Sequence, residues 1–521
     1  MDTGCRVFSA LDLNLDPTRI HRFVVGEDQA PLPMTVGDAE ATLGDDFATQ
    51  VLLKGTFPQS GEEAVNAIKA AVEEGHPLRD QMSFVLGEGS QIPPEADPPP
   101  LSRGLRFVVT LGATANGPPD GPDVLVSVED PRQAGVELMA WDKTAGGFNY
   151  YRSMGDPPAW VFAGNAHHAL ADPTQGKGPF ESHKSGALLM KELKLPWTNW
   201  DSPLAQIFGT AFAGGDDRRE HPWFKDKEPG GAYTFENEVA RPAIRRWAKA
   251  RFGPLRAANA TVENPLRIME QILGTPAVDL FSSRRESRSV ASGSPVELPT
   301  TFFVDADGLA AVGLQAPPEF TVSGSIYAQT LQAFDVKLSD ERFVQTGDTH
   351  FAFVIPERAF EDQVVLQEAL KVGLITPRLA AALLMTDFPN PIFSDRRAAL
   401  LAHVPPKAAV SGGASSFSQE MADKIVAAAS AGPDGSAEQE FAERWNVGEN
   451  FDGPFNELLS TYFEAVTTRL ETQAGFNDYF HLAESRRASV RNRPIFENPL
   501  LFATTNLIAA IRQMRPDGSV A

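Results

Sequence analysis

Short apolar runs dominate residues 105–165 and follow the pattern of β-strands. β-branched and aromatic residues fill these runs, and glycine, proline and aspartate separate them. The runs are residues 106–111, 124–128, 136–141, 148–152 and 159–163. Gly146 and Gly147 lie between the third and fourth runs, where a tight hairpin requires positive φ angles. Because turns recur about every ten residues, the pattern predicts an antiparallel sheet or a small barrel.

Apolar residues elsewhere recur at three- and four-residue spacing, which predicts helices. These helices are expected at residues 62–74, 188–193, 236–252, 326–334, 361–372 and 377–385. Ser202-Pro203 and Asn264-Pro265 each combine a capping side chain with proline and so mark two further helix starts. Ser436 and Gln439 have the spacing of a capping box, whereas residues 350–355 have the pattern of one buried strand. The predicted fold class is therefore α+β, an antiparallel β-rich block packed with a larger, mainly helical part.

Two stretches without apolar periodicity divide the chain into regions. Residues 92–100 contain five prolines in nine positions, which predicts an extended connector. Residues 282–295 are polar and basic, which is typical of a loop or linker. The expected regions are a mixed α/β region at 1–91, the β-rich block at 101–165, a helical region at 166–281 and a mainly helical region at 296–521.

Charge and cysteine content exclude several classes of function. With 46 basic and 68 acidic residues the net charge is −22, so the chain lacks the basic surface that binds nucleic acid or anionic lipid. Cys5 is the single cysteine, which leaves no intramolecular disulfide and no cysteine-rich metal site. The N-terminus has no basic start followed by an apolar run, and no segment reaches about 18 apolar residues. These features predict a cytoplasmic protein whose partner is a small-molecule substrate.

Three of the nine histidines fall within 17 residues, in the segment that joins the β-rich block to the first predicted helix after it. They are His167, His168 and His183. Imidazole is the commonest metal ligand and the natural acid–base group near neutral pH. Since the sequence contains no nucleotide-binding, serine-hydrolase or zinc-protease motif, this segment is the predicted functional site.

Several chemistries fit this segment. The three histidines have the chemistry to hold a metal ion such as iron, and His183 could instead serve as an acid or base with Glu192 or Asp201. The same segment supplies further polar and aromatic side chains for the wall of a cofactor or substrate pocket: Trp197, Asn199 and Trp200. A third alternative is a binding or scaffold protein in which the segment is only structural.

The sequence GPFESHKSGALLMKELKLPWTNW at residues 178–200 resembles the signature of a poorly characterised family of large bacterial proteins. The resemblance continues at residues 147–151, 347–353 and 386–391, and covers parts of residues 105–405. Some members of that family look like monohaem c-type cytochromes, with Cys-x-x-Cys-His before MKEL. Here the corresponding residues 179–183 keep His183 and lack both cysteines.

That resemblance implies an oxidoreductase that acts on an apolar small molecule. His183 would bind haem without thioether bonds, or would bind a non-haem metal together with His167 or His168. A lyase, isomerase or cyclase that works without a cofactor remains the alternative.

Two further polar clusters are predicted to be structural. The basic residues of the helix at 236–252 are expected to form ion pairs with acidic segments. Asp387 and Asn390 lie in a DFPNP sequence, which is typical of a turn.

Overall fold

A computed structural model describes most of the chain. The described residues are 14–88, 105–112, 121–187, 198–203, 207, 215–276, 278–282, 294–335, 337–339, 344–346, 354–491, 504–505 and 510–521. Among them, no helix combines the length and the apolar character that crossing a membrane requires.

Within the described residues, nine strands form the central sheet. They are β1 (His21–Arg22), β2 (Leu32–Pro33), β3 (Gln81–Glu88), β4 (Leu105–Leu111), β5 (Val124–Val128), β6 (Glu137–Asp142), β7 (Gly147–Met154), β8 (Ala159–Asn165) and β9 (Thr198–Trp200). Their spatial order is β2-β1-β8-β7-β6-β5-β4-β3-β9. The run from β3 to β8 is an antiparallel meander, and the five strands predicted from the apolar pattern are β4 to β8. The predicted α+β class with an antiparallel block is confirmed.

The first predicted region does not form a unit separate from the β-rich block. β3 pairs with β4 along its whole length, from Gln81 opposite Leu111 to Gly87 opposite Leu105. β1 also joins the sheet, beside β8 in parallel. Pairing between β3 and β4 satisfies backbone groups on both sides of the proline-rich stretch, which itself lies outside the described residues. Regions 1–91 and 101–165 therefore share one sheet.

Helices cover the sheet and build the C-terminal part. They are α1 (Val36–Thr42), α2 (Asp46–Gln50), α3 (Gly61–Ala70), α4 (Pro222–Lys225), α5 (Ala232–Thr234), α6 (Arg241–Phe252), α7 (Leu266–Leu273), α8 (Ala306–Ala311), α9 (Gly324–Ala333), α10 (Phe360–Lys371), α11 (Pro377–Leu384), α12 (Asp395–Ala399), α13 (Phe417–Ala431), α14 (Ala437–Trp445), α15 (Asp452–Leu470) and α16 (Gln473–Arg491). A π-helical turn, Phe235–Ala240, precedes α6. Pro242 lacks the N–H that an α-helix would use there, so the helix predicted at 236–252 changes its winding near Arg241.

Small sheets complete the C-terminal part. Their strands are β10 (Ala260–Val262), β11 (Val278–Ser282), β12 (Val296–Pro299), β13 (Glu319–Val322), β14 (Lys337–Ser339), β15 (Val344–Thr346), β16 (Val354–Arg358), β17 (Ala408–Val410) and β18 (Thr504–Thr505). The pairs are β10 with β17, β11 with β16 and β12 with β13, and β14 lies between β15 and β18. The strand predicted at 350–355 overlaps β16 at Val354 and Ile355, and residues 350–353 lie outside the described residues.

Most of the predicted helices within the described residues are confirmed. Helices α3, α7, α9, α10 and α11 lie where the apolar spacing or the cap-plus-proline pattern places them. Ser436 caps α14 by accepting a hydrogen bond from the backbone N–H of Gln439 at 3.2 Å. The helix predicted at 188–193 lies outside the described residues. The basic residues of α6 pair as predicted, Arg246 with Asp123 at 2.8 Å and Arg241 with Glu236 at 2.6 Å.

Side chains alternate between the two faces of the central sheet and so create two cores. On one face, Val85, Phe107, Val126, Leu138 and Phe162 pack with α3 and its neighbours, and this is the α3 face. On the opposite face, Phe84, Val108, Leu125, Met139 and Tyr150 pack with the π-helical turn and α6, and this is the α6 face. A third, larger core holds the C-terminal helices together. The predicted functional segment lies against the α6 face, because Phe180 and Ala187 belong to its core.

Candidate functional site

His183 lies in a turn that hydrogen bonds fix on both sides. Its backbone N–H donates to the carbonyl of Pro179 at 3.0 Å, and its own carbonyl accepts from the N–H of Gly186 at 2.9 Å. The Tyr150 hydroxyl donates to the carbonyl of Gly186 at 3.0 Å. The indole N–H of Trp247, on α6, donates to the carbonyl of Ser185 at 2.8 Å. Two aromatic side chains of the α6-face core therefore hold the turn against the sheet.

Gly186 permits the close packing of this turn. Its φ angle is 73°, in the left-handed region that favours glycine. A Cβ atom at this position would lie 2.4 Å from the carbonyl oxygen of Ala166. The turn that carries His183 thus needs glycine both for its backbone conformation and for its contact with the end of β8.

The orientation of the His183 ring follows from one hydrogen bond. Nδ1 lies 3.2 Å from the carbonyl oxygen of Ala187, and the ring centroid lies 5.1 Å from that of Tyr150. A carbonyl oxygen can only accept, so Nδ1 carries a proton, and in the neutral imidazole the lone pair is therefore on Nε2. A backbone carbonyl that fixes the tautomer in this way is the usual support of a histidine that acts as a ligand or a base.

Glu137 and Arg152 bring charge to the sheet beside His183. They lie opposite each other on β6 and β7, and Arg152 Nη2 is 2.6 Å from Glu137 Oε1. Alternation along each strand places both side chains on the α6 face, with Met139 and Tyr150. Burial disfavours the Glu137 carboxylate, but attraction to Arg152, Arg106 and His183 outweighs it and lowers the pKa of Glu137. Glu137 is therefore ionised over the whole neutral range.

Glu181, two residues before His183, behaves in the opposite way. Burial raises the pKa of Glu181, and the charge of Arg152 offsets this only in part. Two carboxyl groups around one arginine thus have pKa values shifted in opposite directions. Such a pair is the common arrangement for dividing acid and base roles. We call Arg106, Glu137, Arg152, Glu181 and His183 together the polar end of the sheet.

His167 and His168 make contacts separate from those of His183. His167 Nε2 donates to the carbonyl of Ala145 at 2.9 Å, and its ring meets the Trp247 ring with centroids 5.0 Å apart. His168 Nδ1 lies 2.8 Å from Asn165 Oδ1, and its Nε2 lies 3.7 Å from Glu27. Burial lowers the pKa of His168, while the Glu27 carboxylate partly opposes that effect.

The metal site predicted from the three histidines is not assembled in the described part of the chain. Within it, no three side chains of histidine, cysteine, aspartate or glutamate are gathered closely enough to hold a metal ion. His167 follows β8 and packs toward the β6–β7 hairpin, whereas a separate turn carries His183. Proximity along the chain therefore does not bring the three imidazoles together.

The residues predicted at the end of the segment divide between the two faces. Trp200 pairs with Leu86 across β9 and β3, and its ring stacks on Phe235 of the α6-face core with centroids 5.0 Å apart. The Asp201 carboxylate instead lies 3.7 Å from Lys227, whose Nζ is 4.4 Å from the ring of Phe224, in the core of the α3 face. Burial raises the pKa of Asp201, and the charge of Lys227 partly offsets this.

This division follows from strand geometry. Consecutive residues of a strand point to opposite faces, and the backbone N–H of Asp201 still bonds to β3, at the Val85 carbonyl. Trp200 is consequently on the same face as His183, and Asp201 is not. Asn199 lies opposite Gly87 in the same pair of strands. Glu192 and Trp197 lie outside the described residues.

The charged residues of the polar end were not predicted from the sequence, although a signal for them is present. Glu137 opens the strand ELMAWD, and Arg152 interrupts the apolar part of GFNYYRSM. A charge at a position that alternation assigns to a buried face requires a partner or a function. Recognising the pair would have required the register of β6 and β7 in advance.

A separate cleft of about 610 Å³ lies in the C-terminal part. Its polar lining comes from Thr300, Thr301, Asp307, Gln315 and Glu357, between prolines and small apolar side chains. Thr301 donates a hydrogen bond to the Glu357 carboxylate. None of the polar-end residues lines this cleft, so it is distinct from the polar end of the sheet.

No family model matches the chain, and no curated protein or solved structure is significantly similar to it.

Proposed function

We propose that the protein is an enzyme that moves protons on a small molecule at the polar end of the sheet. The observation that carries this proposal is the hydrogen bond from His183 Nδ1 to the Ala187 carbonyl, at 3.2 Å. It makes Nε2 the basic nitrogen and holds the ring in one orientation, as a general base requires. The class of reaction is that of a lyase or an isomerase without a redox cofactor.

Each charged group of the site has a role in such a reaction. His183 Nε2 takes a proton from a substrate carbon. Glu181 returns a proton to the leaving group or to a neighbouring atom. It suits this role because it keeps its proton to higher pH than an exposed glutamate does. The proton count balances and no electron is gained or lost. The ionised Glu137 stabilises the protonated imidazole that forms, and Arg152 holds Glu137 in place at 2.6 Å.

A conversion assay tests this proposal even while the substrate is unidentified. The wild-type protein and His183→Ala are incubated with a mixture of small metabolites, which is followed by mass spectrometry. His76→Ala is the matched control, because His76 is exposed and belongs to the turn before β3. We expect a conversion by the wild type and the control that His183→Ala lacks. A wild type that converts nothing, or an active His183→Ala variant, contradicts the proposal.

A second candidate is the oxidoreductase implied by the family resemblance. The same hydrogen bond of His183 fits a histidine that would hold a non-covalently bound haem through Nε2, since a ligating histidine donates from its other ring nitrogen. Arg106 and Arg152 have the charge to pair with the haem propionates. Bound haem would supply one-electron chemistry. A non-haem iron fits less well, because the described residues gather no second and third ligand around His183.

Absorption spectroscopy separates the two candidates. Protein purified from haem-supplemented cells is tested for a Soret band and for stoichiometric iron. The haem candidate requires a band in the wild type and His76→Ala that is lost in His183→Ala. A folded, colourless and iron-free wild type rules it out. A protein that neither converts a metabolite nor takes up haem is a binding or scaffold protein.

A further inference from the structure

We infer that the substrate of this site carries a carboxylate next to an apolar chain, and that Arg106 binds the carboxylate. This inference names the substrate class of the proposed function and rests on it. Arg106 lies on β4 directly opposite Leu86 of β3, and Leu86 lies directly opposite Trp200 of β9. The three residues form a row across neighbouring strands on the α6 face.

The two arginines of the polar end differ in their ion-pair partners and in their exposure. Arg152 is held by Glu137 at 2.6 Å and is partly buried. Arg106 is exposed, and within the described residues no carboxylate lies at ion-pair distance from its guanidinium. Its positive charge nevertheless reaches the site, since it contributes to holding Glu137 ionised. Arg106 is therefore placed to bind an anion that comes from solution, and a guanidinium matches a carboxylate with two parallel hydrogen bonds.

Trp200 supplies a second, independent observation. Its side chain is 3% exposed, and its indole Nε1 has no hydrogen-bond acceptor within the described part of the chain. A buried N–H without an acceptor is costly, so this group needs an acceptor that the described residues do not supply. Strands lie about 4.8 Å apart, so Trp200 and Arg106 are about 10 Å apart across the row. Both long side chains are N–H donors, which again indicates an acceptor ligand such as a carboxylate.

The apolar part of the substrate follows from the residue between them. Leu86 is half-buried and packs against the α6-face core. Phe84, on the same strand and face, meets the Trp200 ring with centroids 5.9 Å apart. A carboxylate held between the Arg106 guanidinium and the Trp200 indole N–H would place its carbon chain over Leu86 and the Phe84 ring. A highly charged metabolite such as a nucleotide would leave this apolar surface unused.

Calorimetry with octanoate and its neutral analogue octanamide tests the inference. Titrations use the full-length wild type, Arg106→Gln, His183→Ala and Arg19→Gln. Arg19 is also exposed but lies near β1, so its substitution controls for the loss of one surface charge. We expect octanoate to bind the wild type, Arg19→Gln and His183→Ala alike, and to bind Arg106→Gln about tenfold more weakly or worse. Octanamide is expected to bind more weakly than octanoate only where Arg106 is present.

The outcomes separate this inference from the proposed function. Equal affinity of wild type and Arg106→Gln for octanoate, or no binding of octanoate to the wild type, overturns the inference. If octanoate binding depends on Arg106 while His183→Ala keeps full conversion activity, the inference about the ligand stands and the catalytic role of His183 fails. Thermal unfolding of each variant confirms that the protein is folded in every titration.

Discussion

Arg152 donates a hydrogen bond from Nη2 to Oε1 of Glu137 at 2.6 Å, between neighbouring strands at one end of the α6 face. This pair gives the site its electrostatic character. Arg152 contributes to the lowered pKa of Glu137 and partly offsets the raised pKa of Glu181. The turn that positions His183 contacts the same face, so an ionised carboxylate, a carboxyl group with a raised pKa and an oriented imidazole share one side of the sheet.

The pH dependence of the reaction should identify Glu181 as the acid. Burial raises the pKa of Glu181, so its proton is retained to higher pH and lost as the pH rises through that value. We expect the wild-type rate to decline on the alkaline side for this reason, and Glu181→Gln to lose the decline and about 10²-fold of the rate. Initial rates across the pH range measure both effects. An unchanged pH profile in Glu181→Gln would show that another group is the acid.

Gly186→Ala should disrupt the turn that carries His183. The substitution strains a backbone with φ of 73° and places Cβ 2.4 Å from the Ala166 carbonyl oxygen. We expect a loss of about 2 to 4 kcal/mol in the free energy of unfolding, together with most of the activity. Gly176→Ala is the matched control, because Gly176 has φ of 68° and nothing within 4 Å of its Cβ position. Urea denaturation of both variants gives the comparison, and equal losses would argue against the close contact.

Asp45 should make the protein less stable as the pH rises. It is fully buried, caps α2 through the N–H of Ala48 at 2.9 Å and accepts from Asn149 at 2.7 Å. Burial raises the pKa of Asp45 above the ordinary value of 3.8, so the folded state holds this proton more tightly than the unfolded state. Its contribution to stability is present below the ordinary value and is lost as the pH rises through the folded one.

Urea denaturation at a series of pH values tests this contribution with Asp45→Asn. The asparagine can still cap α2 but does not ionise. As the pH rises, the free energy of unfolding of the variant should increase relative to that of the wild type. The total increase should be about 1.4 kcal/mol for each unit by which burial raises the pKa of Asp45. Other groups titrate alike in both proteins, so a difference that does not change with pH would count against the buried carboxyl group.

Arg397 and its neighbour Arg396 should differ sharply in their effect on stability. Arg397 is 1% exposed, and burial lowers its pKa to about 10, so it remains charged at neutral pH. Its guanidinium donates to the carbonyls of Thr386, Asp387, Asn390 and Pro391. We expect Arg397→Ala to lower the free energy of unfolding by about 3 kcal/mol or more, because those carbonyls lose their donors.

Arg396→Ala is the internal control for that prediction. Arg396 pairs with Glu440 at 2.9 Å, but 38% of its side chain is exposed. Exposed ion pairs contribute about 1 kcal/mol or less. Thermal or urea unfolding of the two variants side by side gives the ratio of their losses in free energy of unfolding. Similar losses for both would mean that Arg397 does not hold the loop that contains Asp387 and Asn390.

Local patterns predicted the elements that depend on neighbouring residues alone. The strands β4 to β8 and the helices α3, α9, α10 and α11 lie where apolar spacing places them. The predicted turn around Asp387 is also present, since Asp387 has φ of 51° and accepts from Asn390 at 2.8 Å. What the sequence did not reveal is pairing between distant segments, as between β3 and β9 or β1 and β8. Such pairing depends on register and on the whole core.

The sequence likewise predicted only the part of the candidate site that depends on neighbouring residues. The concentration of histidines predicted His183, but Arg106, Glu137 and Arg152 come from β4, β6 and β7, over 30 residues earlier in the chain. Asp201 seemed a suitable acid beside Trp200, yet strand alternation places the two on opposite faces. Charged partners of a site on a sheet can be found from sequence only after the strand register is known.

The rate of His183→Ala tests the central claim most directly. The substrate is whichever metabolite the wild type converts, and initial rates are compared for wild type, His183→Ala and His76→Ala, with circular dichroism to confirm folding. We predict a fall of about 10²- to 10⁴-fold for His183→Ala and an unchanged rate for His76→Ala. A folded His183→Ala variant with the wild-type rate would contradict the role of His183 as the base.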